Sequence, residues 1–169
     1  MKLNEIKSGE SVFIDTNIFL YHFTGVSKHC REFLMRCESK DLFGATGFTI
    51  LSELCHRLMI AEAIRRGFIS ASRPAIQLQK KPEAIKKLSE YSACVMNIIT
   101  WGIKVVQPPE DILMESQAYR TQFGLLTNDS FIPIYMKQAN INKLATNDRI
   151  FSRIPTLHTY SPSDITQQP

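Results

Sequence analysis

The sequence predicts an α/β protein with a central, mostly parallel sheet of four to five strands, covered by helices on both faces. Three observations predict it. The stretch SVFIDTN at 11–17 is a short apolar run that ends abruptly in an acid, as a buried parallel strand does at its carboxyl end. KLATND at 143–148 repeats the pattern near the other end of the chain. Between them, short apolar runs alternate with longer segments of helical period.

Taken in order, residues 1–10 read as a polar lead-in and 11–15 as the first strand. Asp15, Thr16 or Asn17 can cap a short helix through Tyr21 and Phe23, which Gly25 ends. Cys30, Phe33, Leu34 and Cys37 have helical spacing, so a helix is expected over 27–38. A second strand, 42–46, ends at Gly47. Leu51, Leu54, Cys55, Leu58 and Ala61 form one stripe of a long helix over 49–66, with Gly67 as its stop. Residues 68–81 read as irregular, and Pro82 opens a further helix to about residue 100. A strand at 103–106 follows, then a helix over 110–123 after Pro108 and Pro109. Thr127 or Asn128 caps a helix over 129–139, in which Pro133 fits only if it lies in the first turn. Residues 144–146 are the fourth strand, 154–160 can supply a fifth, and the tail from Ser161 is expected to fray.

The 169 residues suit one domain with a sizeable core, and a 44% hydrophobic, 21% charged composition is that of a folded chain. The apolar runs are far too short to span a bilayer, and MKLNEIKSGE lacks the apolar stretch of a signal peptide, so the expected place is the cytoplasm, away from membranes. Cys30, Cys37, Cys55 and Cys94 form no CxxC pair and no Cys/His metal spacing, and read as small core residues. No Gly-rich phosphate loop and no nucleophile elbow is present. The net charge is +4, but the stretch 57–87 holds eight bases against two acids, leaving the rest of the chain slightly acidic. Such an arm suits an anionic partner such as RNA, through Arg57, Arg65, Arg66, Lys80 and Lys81, although a solvated helix face would look the same.

Four acids stand at the ends and starts of these elements: Asp15, Glu53, Asp129 and Asp148. Each has a plain structural alternative. Asp15 and Asp148 can cap turns, Glu53 can pair with Arg57 four residues on, and Asp129 is favoured by the dipole of a first helical turn. Together they form a pattern, because strand ends and the starts of following helices share one rim of a parallel sheet. Asp129 reaches that rim only if its helix starts above the sheet edge. Carboxylates about 4 Å apart repel by about 4 kcal/mol per pair at an effective dielectric near 20, a cost that a divalent cation removes. Oxygen ligands without His or Cys favour Mg²⁺ or Mn²⁺, which can activate water against a phosphodiester.

The chain resembles the PIN domain, the nuclease fold of VapC-type ribonuclease toxins and RNA-processing enzymes. The resemblance rests on FIDTN at 13–17, TILSEL at 49–54, LLTNDSF at 125–131 and LATNDRIF at 144–151, in family order from one end of the chain to the other. It implies a three-layer α/β/α sandwich and a metal-dependent endoribonuclease for single-stranded RNA, with the toxin of a pair with an inhibitory antitoxin protein as one of the roles it leaves open. It also implies metal-ligand roles for Asp15, Glu53, Asp129 and Asp148, with Asn17 and Thr146 as supporting polar groups. Two departures stand out. Many members carry a further acid where this chain has Ile150, and the separation of Glu53 and Asp129 is long. The extra length falls at about 65–100, which reads as a basic helical insertion for RNA, a partner or a second copy of the chain. Apolar residues at 82–100 make a homodimer plausible. The alternative is a PIN-like module that binds RNA or protein without cutting. His56, three residues after Glu53, could border the site, but it and the other histidines read more simply as packed or exposed.

Overall fold

In the computed structural model, which describes residues 1–165, the five strands form one sheet in the order β3-β2-β1-β4-β5, and every pairing is parallel. β1 (Ser11–Ile14) lies at the centre, flanked by β2 (Phe43–Gly47) and β4 (Lys143–Ala145), with β3 (Lys104–Val106) and β5 (His158–Tyr160) at the edges. The chain winds outward from β1 through β2 to β3, then returns to the other side of β1 with β4. The carboxyl ends of β1 and β4 are therefore the switch point, where open α/β sheets leave a crevice.

Side-chain alternation along β1 divides the interior. Val12 and Ile14 point to one core, and Phe13 points to the other; all three are fully buried. The first core is closed by α1 (Thr16–Phe23), α2 (Lys28–Glu38), α3 (Phe48–Arg65) and α6 (Glu90–Thr100). The second is closed by α7 (Ile112–Phe123) and α8 (Thr127–Ala139). The result is the three-layer sandwich expected. Among the described residues no helix is long and apolar enough to cross a membrane.

The structure departs from the sequence expectations in five places. The first ten residues are no polar lead-in: Leu3 and Ile6 are buried in the first core, in and beside a one-turn 3-10 helix (Leu3–Glu5). The frayed tail is tied down through Asp164. Ser161 exchanges backbone bonds with Met1 and Leu3, and Asp164 accepts from the Ser27 hydroxyl at 2.7 Å; the rest of that tail, 166–169, lies outside the described residues. Within the stretch expected to be irregular, α4 (Pro74–Gln79) forms, opened by a proline in its first turn.

The helix expected over 82–100 is two helices, α5 (Pro82–Ile85) and α6, separated by a turn at 86–89. The cause is Glu62, far away on α3. Its buried carboxylate accepts the backbone N–H groups of Ser89 at 3.1 Å and Tyr91 at 3.0 Å, capping α6 from outside where Ser89 offers no side-chain cap. Ala63, Ile69, Leu78 and Leu88 form a small third core beneath this turn. Most of the apolar residues expected to face a second copy are used here or against α3, leaving Met96 and Ile99 exposed.

Pro133 lies inside α8, not in its first turn, so the Asp129 carbonyl lacks its intrahelical donor. The helix persists because Phe131, Ile132, Ile134, Tyr135 and Met136 are all buried, and packing outweighs a proline cost of about 3 kcal/mol.

Close packing is tightest at Gly47, where β2 turns into α3. A Cβ there would lie 2.6 Å from ring carbons of Tyr135, itself fully buried. Gly47→Ala should therefore destabilise the protein by about 1–3 kcal/mol in urea unfolding, the usual cost of overpacking. A variant as stable as the wild type would mean that Tyr135 moves freely.

Candidate active site

The rim above β1 and β4 gathers the acids. Asp15 is the N-cap of α1, and its Oδ1 accepts the Thr16 N–H at 2.7 Å. Its Oδ2 accepts the Asn17 amide at 2.6 Å and the Thr146 hydroxyl at 2.6 Å, joining the ends of the two central strands. Only 8% of Asp15 is exposed. Glu53 reaches the same place from the second turn of α3, where the Thr16 hydroxyl is 3.5 Å away, and Arg57 pairs with it at 3.5 Å. Asp129 arrives in the first turn of α8. That helix starts at this rim because it must run down the sheet to feed β4 from the opposite end.

Asp15, Glu53 and Asp129 line one small cleft, with Thr16, Thr49 and Asn128 among its other walls. Asp148 is not in the cleft lining but stands close enough to Asp129 to raise its pKa. Asp148 caps a 3-10 helix (Arg149–Arg153) by accepting the Ile150 N–H at 2.8 Å, and its own N–H donates to Thr146 Oγ1 at 3.1 Å. The plain capping and pairing roles of these acids are thus real, and they coexist with their convergence. Among the described residues, no three His, Cys, Asp or Glu side chains stand close enough to enclose a metal ion.

The cleft is short of positive charge. Burial pushes the Asp15 carboxyl up to about 6, against the bonds from Thr146 and Thr16, and the charges of Glu53 and Asp129 push the same way. Asp129 is raised too, by burial and then by Asp148 and Glu53. A carboxyl whose folded pKa lies above its unfolded value near 4 favours the fold when protonated. Its contribution is fully present below about pH 4 and is lost as pH rises through about 6, a change of about 3 kcal/mol. Carboxylates held low elsewhere, such as Asp41 and Asp164, act in the opposite sense, so the difference between two proteins is the clean readout. The stability of Asp15→Asn relative to the cation-free wild type should rise by up to about 3 kcal/mol between pH 4 and pH 7 in urea titrations. A difference flat with pH would mean that Asp15 is not held up by its surroundings.

An all-oxygen donor set under mutual repulsion fits a hard divalent cation by its chemistry. Asn17 and Thr146, the expected supporting groups, each donate to Asp15. Ile150 packs against the second core and brings no carboxylate to the site. His56 is exposed and lines no part of the cleft.

The basic residues are placed differently from the expectation of a free arm. Arg57 serves Glu53, Arg65 pairs with Glu90, and Arg66 pairs with Glu62 and donates to the Lys87 carbonyl. Lys81 donates to the Phe68 carbonyl at 2.7 Å, while Lys80 is exposed.

Sequence reasoning missed Thr16 and Asn147. Asn147 is fully buried, and its N–H donates to the Asn17 side-chain oxygen at 3.0 Å. Both sit inside the motifs already noted, DTN and TND, and that adjacency was the only signal for them.

The model of the PIN domain family matches residues 12–157. Ribonuclease VapC2 of Methanocaldococcus jannaschii is 24% identical over 157 residues, covering 93% of this chain and 95% of that protein. Among solved structures, VapBC2 from Rickettsia felis bound to a DNA fragment from its promoter superposes with a TM-score of 0.54 at 16% identity, over 90% of this chain and 99% of that one. A toxin-antitoxin complex from Klebsiella pneumoniae gives 0.52 at 17% identity, over 92% and 98%.

Proposed function

Because the chain belongs to the PIN domain family, we propose that it is a divalent-metal-dependent endoribonuclease acting on single-stranded RNA. The observation that carries the reading is the convergence of Asp15, Glu53 and Asp129 on one cleft at the switch point of the sheet, with Asp148 beside them. These four acids would hold Mg²⁺ or Mn²⁺. When bound, such an ion polarises water and neutralises charge developing on the phosphodiester. The chain's own residues prepare for it. Thr146 and Asn17 fix the Asp15 carboxylate, Arg57 offsets part of the charge of Glu53, and the buried floor beneath Asp15 keeps bulk water away. With Ile150 in place of a further acid, the reading favours one well-held ion over two.

The likeness to VapC2 and to toxin-antitoxin complexes supports a role as the toxin of such a pair, in the cytoplasm, with an antitoxin protein as partner. An open apolar groove between α1 and α3, lined by Leu20, Val26, Ile60 and Ile64, offers that partner a face beside the cleft. A second copy of the chain is a further candidate partner, through the exposed Met96 and Ile99. RNA contact by the basic insertion falls chiefly to Lys80, since Arg65, Arg66 and Lys81 are engaged within the protein and Arg57 at Glu53.

Purified protein free of any inhibitor should cut single-stranded RNA with Mn²⁺ or Mg²⁺, and chelator or Asp148→Asn should stop it. A folded protein that retains RNA in a salt-sensitive manner but cuts none of it under any condition would mark a binding module instead.

A further inference from the structure

We propose that Arg57 and Arg153 bracket the acid cleft as two phosphate subsites, so that a single strand of RNA crosses the rim of the sheet from α3 to the 3-10 helix after β4. This rests on the nuclease reading and extends it to how the substrate lies. An RNA strand brings further negative charge to a place that already gathers four acids, and it needs cations beside them. The charges that bear on Asp15 and Asp129 are all carboxylates, those of Glu53, Asp129 and Asp148. The cations for the strand therefore stand outside the acids.

Arg57 lies one turn beyond Glu53 on α3. Its single contact there is 3.5 Å long and its side chain is 45% exposed, so most of its fork is open to solvent. Arg153 stands on the other side. Asp148 caps the 3-10 helix that ends at Arg153, and five residues rising about 2 Å each place Arg153 about 10 Å along it. Its Nη1 donates to the Phe123 carbonyl at 3.3 Å, beside the turn that leads into α8 and Asp129. Among the described residues this guanidinium meets no carboxylate, and the side chain is exposed. Stapling the 3-10 helix to the end of α7 uses one N–H of five. A planar fork with one neutral partner is suited to a phosphate. Because α3 covers one face of the sheet and α7 the other, the two guanidiniums flank the acids from opposite sides.

Fluorescence anisotropy of a labelled single-stranded RNA, with chelator present, reads binding without cutting. Arg57→Gln and Arg153→Gln should each weaken binding by about tenfold. Each should also lower the slope of log affinity against log salt by about 0.7, and the double variant by about 1.4, since the two sites are separate. Arg153→Lys should keep the slope, because the charge remains, while losing affinity with the fork. Lys104→Gln, at the exposed first residue of β3 and the opposite end of the sheet, should change neither. Melting temperatures should stay near that of the wild type. With Mn²⁺ present, Arg153→Gln should raise KM for RNA with kcat unchanged, and Mn²⁺ affinity by calorimetry should weaken in neither variant. Wild-type slopes in the two Gln variants, a loss in only one of them, or an equal loss in Lys104→Gln would overturn the crossing. A wild type that binds RNA but never cuts it would end the nuclease reading, and the slopes would still decide the path. A wild type that cuts while the slopes stay fixed would end the path alone, and one that binds no RNA would end both.

Discussion

Asp15→Asn should abolish RNA cleavage while leaving the protein folded, a loss beyond the roughly 10–100-fold that a merely supporting residue costs. The argument is the placement of this carboxylate. It is buried at the end of the central strand, takes bonds from Thr16, Asn17 and Thr146, and shares the cleft with Glu53 and Asp129. Asn has the same shape and can still accept the Thr16 N–H, so the cap of α1 survives, and removing a buried charge relieves the burial cost, and after it the repulsion from Glu53 and Asp129, that raise the Asp15 pKa. What disappears is the negative charge that a divalent cation would need. Mn²⁺ should accordingly raise the melting temperature of the wild type by mass action and leave that of Asp15→Asn unchanged. Since that stabilisation offsets charge repulsion, it should be larger at pH 7 than at pH 5, where much of Asp15 is protonated. Asp148→Asn should behave alike in cleavage. Undiminished cutting by both variants would sink the carboxylate mechanism.

The second large effect concerns stability and lies outside the cleft. Glu62→Ala should cost about 2–4 kcal/mol, because it orphans the Ser89 and Tyr91 amides at the start of α6. For a chain of this size that is a fall in melting temperature of roughly 4–16 °C. Burial alone would push the Glu62 carboxyl up, but the Tyr91 and Ser89 amides and the Arg66 guanidinium outweigh it and hold it below its usual range. The stability it contributes is present at neutral pH and is lost as pH falls through the folded pKa, so Glu62→Ala and wild type should converge in acid. Arg66 is one-third exposed and can return to water, which is why the cost is assigned to the amides and not to the ion pair. Cleavage per folded molecule at low temperature should not change. A variant within about 0.5 kcal/mol of the wild type would show that the turn at 86–89 holds itself.

Much of the fold is written in local pattern. SVFI before Asp15 and KLA before Thr146 are short runs that form strands with buried carboxyl-terminal residues, and each is followed by a polar residue at the rim of the sheet. Gly67 follows its helix at positive φ, as its position suggested. Asp15 could be marked as a candidate for the same reason: an acid directly after a buried strand has to face the rim.

Other features depended on contacts between distant parts of the chain. The break between α5 and α6 is imposed by a carboxylate 27 residues before Ser89, and no local pattern in 82–100 records it. Leu3 and Ile6 look like stray apolar residues in a polar lead-in until the first core closes over them. Arg65 and Arg66 read as a free basic patch because Glu90 lies beyond the counted stretch and counting does not record that Glu62 pairs with Arg66.

By itself, then, the sequence determined the alternation of strands and helices, the parallel sheet it requires, and the four acids at the element ends, because these follow from periodicities of two to four residues. Only the tertiary structure decided that α8 starts at the rim and carries Asp129 beside Asp15 and Glu53, that Thr146 donates to Asp15, and that the Asn147 N–H donates to Asn17. Most of those contacts join residues more than a hundred positions apart, and their physical cause is the strand order: with β4 laid against β1, the two ends of the chain share one rim of the sheet, and their polar groups satisfy one another there.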